Sequence, residues 1–197
     1  LPGMAQTEKL TDYVNPFVGT DGYGNVYPGA QIPFGGIQIS PDTDSRFYDA
    51  ASGYKYNHLT LMGFSLTHLS GTGIPDLGDF LFIPGTGEMK LEPGTHEDPD
   101  QGYRSRYSHD KEWASPNYYA VELADYGVKA EMTSGVRSGM FRFTYPESDN
   151  AFIMIDMNHT LWQSCEWSNL RMINDSTITG YKLVKGWGPE RHVYFTA

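Results

Sequence analysis

From residue 118 onward the chain alternates apolar and polar positions in short runs, each closed by residues that turn the backbone. Residues 118–123, 128–136 and 140–145 are rich in Tyr, Val, Phe and Met and are separated by Asp125-Tyr126-Gly127 and Ser138-Gly139, the pattern of an antiparallel meander. Residues 151–156, 176–184 and 192–196 continue in the same style. Upstream, residues 36–40 set Ile37 and Ile39 against Gln38 and Ser40 with period 2, and Pro41-Asp42-Thr43-Asp44 should stop that strand. A further strand is predicted over 79–83, closed by Pro84-Gly85. Helical periodicity nowhere persists beyond about three turns. The pattern predicts an all-β antiparallel β-sandwich over residues 13–197, after a polar leader over 1–12. The run ending at Ala197 has no turn or polar tail after it. That reads as a sheet truncated at its C-terminal edge, and such an edge needs covering by further residues or another chain.

Composition agrees with strands and turns. The 197 residues include 14 Tyr, 10 Phe and 4 Trp, broken up by 22 Gly and 12 Pro. That length suits one domain. The formal net charge of −10, with no basic patch, excludes nucleic acid as a partner. Cys165 is the single cysteine, so there is no internal disulfide framework, and it reads as a half-buried core residue. No apolar run is long enough to span a membrane as a helix. The opening Leu1-Pro2-Gly3-Met4-Ala5-Gln6 lacks the basic start and apolar core of a secretory signal.

The densest polar stretch runs from Ser65 through His68, Ser70 and Asp76 to Asp79, interleaved with Gly71, Gly73 and Gly78. Its hydroxyls, imidazole and carboxylates could line a sugar pocket. Equally, His68 and Ser70 could cap a turn while Asp79 pins a strand start, and spacing does not choose between the two. Asp42, Asp44, Asp76 and Asp79 are oxygen donors near turns, but they lack the EF-hand spacing, and no two histidines stand four apart; no metal site wholly within this chain is expected. Glycoside hydrolysis needs a pair of carboxylates with separated roles, and no local motif singles one out, so no catalytic residue is assigned. Gly135-Val136-Arg137-Ser138-Gly139 fails the nucleophile-elbow spacing. Trp113, Trp162, Trp167 and Trp187 each read first as core residues; Trp162 and Trp167 flank Gln163-Ser164-Cys165-Glu166 in what reads as an irregular segment, where a side chain could face a partner.

An ordered series of short motifs then narrows the choice: Asn15-Pro16-Phe17-Val18-Gly19-Thr20, Tyr27-Pro28-Gly29-Ala30, Pro33-Phe34-Gly35, Ser40-Pro41-Asp42-Thr43, Ser52-Gly53-Tyr54, Gly63 through Gly73, and Gly78-Asp79. Ser108-His109, Glu112, Tyr118-Tyr119 and Ala130-Glu131-Met132-Thr133 extend it. In this order they resemble the N-terminal domain of glycoside hydrolase family 92, calcium-dependent exo-α-mannosidases of bacteria. The resemblance implies a supersandwich of the galactose-mutarotase type packed against a helical (α/α)6 catalytic domain that this chain lacks. It implies inverting removal of terminal mannose from α-mannosides or N-glycans, with the acid and base carboxylates and a calcium ion held mainly by that other domain. It also implies a periplasmic or outer-surface location. The positions carried over as sugar contacts are Asn25, Ser52, Tyr54, His68, Ser70 and Asp76. Departures stand at Tyr23 and Asn25, where the family often has histidines, and at residues 47–51, where it often has tryptophan and cysteine; both loops face its sugar site. A stand-alone mannoside-binding module and a mutarotase-like sugar enzyme are the competing readings.

Overall fold

A computed structural model describes residues 9–46 and 48–197; of the expected leader, residues 1–8 lie outside the described residues, as does Phe47. The strands are β1 (Ser40–Asp42), β2 (Thr60–Leu61), β3 (Gly63–Ser65), β4 (Leu81–Thr86), β5 (Ser105–Arg106), β6 (Glu112–Ser115) and β7 (Tyr118–Leu123). They continue with β8 (Val128–Ser134), β9 (Gly139–Thr144), β10 (Ala151–Asp156), β11 (Ser164–Asn174), β12 (Thr177–Lys185) and β13 (Arg191–Thr196). Helical turns among the described residues are short 3-10 pieces such as Leu10–Tyr13 and His109–Lys111. All strand pairs are antiparallel, in sheets ordered β1-β3-β4-β10, β6-β7-β8-β9, β11-β12-β13 and β2-β5.

The meander folds as its alternation predicts. Tyr119, Val121 and Leu123 of β7 lie opposite Met132, Ala130 and Val128 of β8, and all six are buried. Phe141 and Phe143 of β9 pack on that core from the same sheet. The facing sheet supplies Phe64, fully buried, with ring centroids 6.5 and 6.4 Å from Phe141 and Phe143. Burying a side chain of that size contributes about 2 kcal/mol. These contacts join the two four-stranded sheets into a sandwich.

Strand β4 is buried on both faces, which is why it reads as a continuous apolar run. Leu81 and Ile83 pack with Met62 and Tyr103 on one side, while Phe82 meets Phe141 at 5.1 Å on the other. The three-stranded sheet docks beside this second face: Phe195 of β13 lies 4.6 Å from Phe80 and 5.9 Å from Phe82. Gly180 in β12 makes room for it, since a Cβ there would fall 2.0 Å from the Phe195 ring.

The structure corrects several sequence expectations. The strand expected over 36–40 lies at Ser40–Asp42, with only an isolated bridge from Ile39 to Ala30 before it. The strand expected over 79–83 begins at Leu81 and runs on through Pro84 and Gly85. Both prolines were read as stops, yet Pro41 pairs with Phe64 and Pro84 with Ile153. Strand β1 is an edge, and β4 pairs with β3 only through Phe64 and Phe82, so in each case one side of the proline faces no ladder. Strand β11 begins at Ser164, so Cys165, Glu166 and Trp167 belong to a strand and not to an irregular segment. Its mostly exposed residues carry no period-2 signal, and a register shift between Cys165 and Trp167 breaks what alternation remains. All four tryptophans are about half exposed, from 45% at Trp113 to 57% at Trp187, so none fills the core.

Candidate functional site

Three loops meet where β1, β3 and β4 approach the three-stranded sheet, and buried carboxylates pin them. Asp42, at the end of β1, is fully buried; its Oδ1 lies 2.7 Å from His68 Nε2 and its Oδ2 2.7 Å from His159 Nε2. His68 Nδ1 is 2.7 Å from the Gln38 carbonyl oxygen. Burial alone would raise the Asp42 carboxyl, but the two histidines outweigh it and hold the group below the usual carboxylate range. Gly53 closes over this pair with φ +85°, where a Cβ would stand 2.1 Å from Asp42 Oδ1; no other residue fits.

Asp79, just before β4, is the second pin. Its Oδ1 is 3.2 Å from the Lys182 ammonium, and its Oδ2 accepts from Thr67 Oγ1 at 2.7 Å and from the Arg191 guanidinium. Here too burial opposes ionisation, and Lys182 and Arg191 prevail and lower the pKa. Lys182 is itself buried, which pushes its pKa down despite Asp79; its Nζ also donates to the His159 carbonyl at 2.5 Å. The ammonium therefore ties β12 to the carboxylate beside β4 and to the loop after β10. Asp76 is the third pin: its Oδ1 accepts the Leu77 N–H at 2.6 Å and its Oδ2 the Trp187 N–H at 2.8 Å, with Arg191 Nη2 3.6 Å away.

The surface above these pins is made of strained loops. Asn25 (φ +49°), Leu77 (+73°), Phe80 (+58°) and Trp162 (+64°) occupy the left-handed region that side-chain-bearing residues rarely adopt. The Gly71 N–H donates to the Asn25 carbonyl at 2.7 Å, joining the 19–25 loop to the 70–78 loop. The Leu161 N–H donates to the Leu77 carbonyl at 3.0 Å, joining the latter to the 158–163 loop.

The six positions carried over as sugar contacts divide on this geometry. Asn25 and Ser70 lie where the first two loops meet; Asn25 is half-buried and Ser70 exposed. His68 and Asp76 are buried beneath those loops at 3% and 5% exposure. Ser52 is buried beside Gly53, and its Oγ has no hydrogen-bond partner among the described residues. Tyr54 is in the hydrophobic core, and its hydroxyl lies 2.9 Å from Glu112 Oε1. Glu112 also accepts from the Tyr119 hydroxyl at 2.6 Å and contacts His109 Nδ1 at 2.6 Å, a separate network from the loop pins. His159, Lys182 and Arg191 are partners of the loop-pinning carboxylates that sequence reasoning missed. Their carboxylates stand more than a hundred residues away in the chain, and nothing in local spacing points to them.

The donor set does not suit a cation. Asp42 is paired with two histidines, Asp79 with Lys182 and Arg191, and Asp44 with His96 at 3.2 Å. Among the described residues no group of three or more His, Cys, Asp or Glu is placed to hold a metal ion. Nor is any helix among them long and apolar enough to cross a membrane.

The fold is thus an antiparallel sandwich whose loop end is locked by buried ion pairs. Comparison with known proteins makes the assignment: the chain belongs to the glycosyl hydrolase family 92 N-terminal domain family, whose model matches residues 13–197. Two solved structures are similar to it. One is the family 92 glycosyl hydrolase ccman5, at 29% identity and TM-score 0.76, covering 94% of this chain and 26% of that one. The other is the inverting family 92 mannosidase BT2199 of Bacteroides thetaiotaomicron VPI-5482, at 25% identity and TM-score 0.75, covering 96% and 25%. A curated relative, an uncharacterized secreted glycosidase of Arthroderma benhamiae, is 30% identical over 139 residues, which is 70% of this chain and 17% of that protein. The chain thus spans about a quarter of the solved relatives and less of the curated one.

Proposed function

We propose that this chain forms one wall of the sugar pocket in an inverting, exo-acting α-mannosidase whose hydrolytic machinery lies on a further, helical domain. The observation that carries the reading is the family match over residues 13–197, joined to a mannosidase among the structural neighbours. Two features support it. The carboxylates at the loop end are occupied by His, Lys and Arg, which leaves them poorly suited to acid/base work and well suited to holding loops still. Large apolar side chains stand exposed on both faces of the three-stranded sheet, Leu170 and Met172 on the face that carries Phe195 and Tyr194 on the other, as surfaces that meet other parts of a larger protein would have them.

In this reading direct sugar contact falls to Asn25 and Ser70, while Ser52, His68 and Asp76 set the loops that carry them and Tyr54 braces the core behind. The substrate is a terminal α-mannoside, free or on an N-glycan, met in the periplasm or at the outer surface. Calcium, held by residues outside this chain, belongs to the same proposal. The test is hydrolysis of α-mannobiose by the full-length protein, followed by NMR of the anomer released. Inversion gives β-mannose as the first product, and chelation should abolish turnover until calcium is restored. Retention of configuration, or no cleavage of any α-mannoside, would overturn the reading. Residues 1–197 alone should show no hydrolysis.

A further inference from the structure

Trp162 is one of four side-chain-bearing residues held in the left-handed region at the loop end. Its φ of +64° is rarely tolerated by a bulky aromatic residue, and it is imposed from both sides. On one side Leu161 is fully buried, with its N–H on the Leu77 carbonyl at 3.0 Å. On the other, the Gln163 amide donates to Thr160 Oγ1 at 3.2 Å and its side chain to the Pro75 carbonyl at 2.8 Å. What this strain achieves is exposure: the indole is 49% accessible beside a buried neighbour. A ring placed for core stability would be covered. Instead Tyr48 buttresses it in a T-shaped contact, centroids 4.7 Å apart and planes at 65°.

The indole borders a groove of about 370 Å³, within the range of pockets that hold small ligands. Its walls include Ser45, Arg46, Asn158 and Gln163. The charges there are already engaged: Asp156 accepts from the Tyr103 hydroxyl at 3.1 Å and the Asn158 N–H at 2.9 Å, and Arg46 Nε lies 3.5 Å from Asp44. A groove with a hydroxyl, carboxamides, balanced charge and one aromatic wall suits a neutral polyhydroxylated ring with an apolar face, which describes a pyranoside. Two other exposed aromatic residues border hollows, Trp113 beside Tyr118 and Lys129 and Tyr194 beside Phe80 and Phe195, but each sits on a regular strand, and no strained backbone turns its ring outward.

We propose that Trp162 is the stacking platform of a pyranoside subsite in the Arg46–Asn158–Gln163 groove, and a determinant of substrate affinity. The proposal rests on the sugar-pocket reading above and adds a residue and a ligand class to it. Because glycine adopts φ +64° without strain, Trp162→Gly separates a binding role from a structural one. In the full-length protein this variant should remain folded, keep kcat for α-mannobiose within about twofold, and raise KM about tenfold. Trp162→Phe, which keeps a ring, should recover most of that loss. An unchanged KM in Trp162→Gly overturns the subsite and leaves the mannosidase reading standing. If the wild-type protein cleaves no α-mannoside, that reading fails, and calorimetric titration with methyl α-mannoside, α-glucoside and α-galactoside decides the subsite. Binding that is lost in Trp162→Gly upholds it; no binding to any of the three overturns it.

Discussion

Glu112 and Asp79 are both buried carboxylates, yet one is held by neutral hydroxyls and the other by cations. Around Glu112 stand Tyr54 and Tyr119, with His109 at the margin, and the phenols are pushed far above their ordinary pKa, first by burial and also by neighbouring Glu112. Around Asp79 stand Lys182, Arg191 and Thr67. The first arrangement knits the sandwich core together through individual hydrogen bonds. The second joins a separate sheet to that core, and each member leaves an uncompensated charge behind if its partner is lost. Robust packing and positional locking therefore use different chemistry in the same molecule.

The sharpest way to break the contrast is Asp79→Ala, which strands Lys182 in the interior and should cost about 3–5 kcal/mol by denaturant unfolding. The double variant Asp79→Leu with Lys182→Met should lose clearly less than the sum of its single changes, because the stranded charge is removed. Tyr119→Phe, which deletes one hydroxyl from the Glu112 set, should cost about 2 kcal/mol. A loss as large as that for Asp79→Ala would erase the distinction.

Acid should expose the ionic cluster. The folded pKa values of Asp42 and Asp79 are lowered, and that of Asp44 falls to about 2 under His96 and Arg46 against the opposing effect of burial. A carboxylate lowered on folding contributes stability that is fully present above its unfolded pKa of about 4 and is lost as pH falls toward the folded value. Stability should thus decline from about pH 5 downward, and Asp42→Asn should flatten that limb in a pH series of unfolding curves. At the small end, Ser70→Ala removes an exposed hydroxyl and should change stability by less than about 0.5 kcal/mol. A larger change would mean that Ser70 holds its loop and is not simply presented by it.

Much of this was legible before any coordinates. Residues 118–123 and 151–156 became strands with the expected bounds because one face of each is apolar and local turns close them. The ordered motifs from Asn15 to Asp79 identified the family, since each is a short stretch of local chemistry. Strand β11 was not legible: exposed along most of its length, it is held by the ladder to β12 and not by its own pattern. The prolines misled for a related reason, because whether a missing N–H matters depends on which side of the strand has a neighbour.

The candidate site divides the same way. Sequence alone determined that His68, Ser70, Asp76 and Asp79 share one loop region with glycines that let the backbone come close. Only the tertiary structure decided that His68 is clamped under Asp42 beside His159, that Asp79 faces Lys182 and Arg191, and that Trp162 is turned outward instead of packed inward. The physical reason is one of range. Strand patterns and turn residues express short-range preferences written into neighbouring positions, whereas the partner of a buried charge and the exposure of a ring are settled by long-range packing that brings distant segments together.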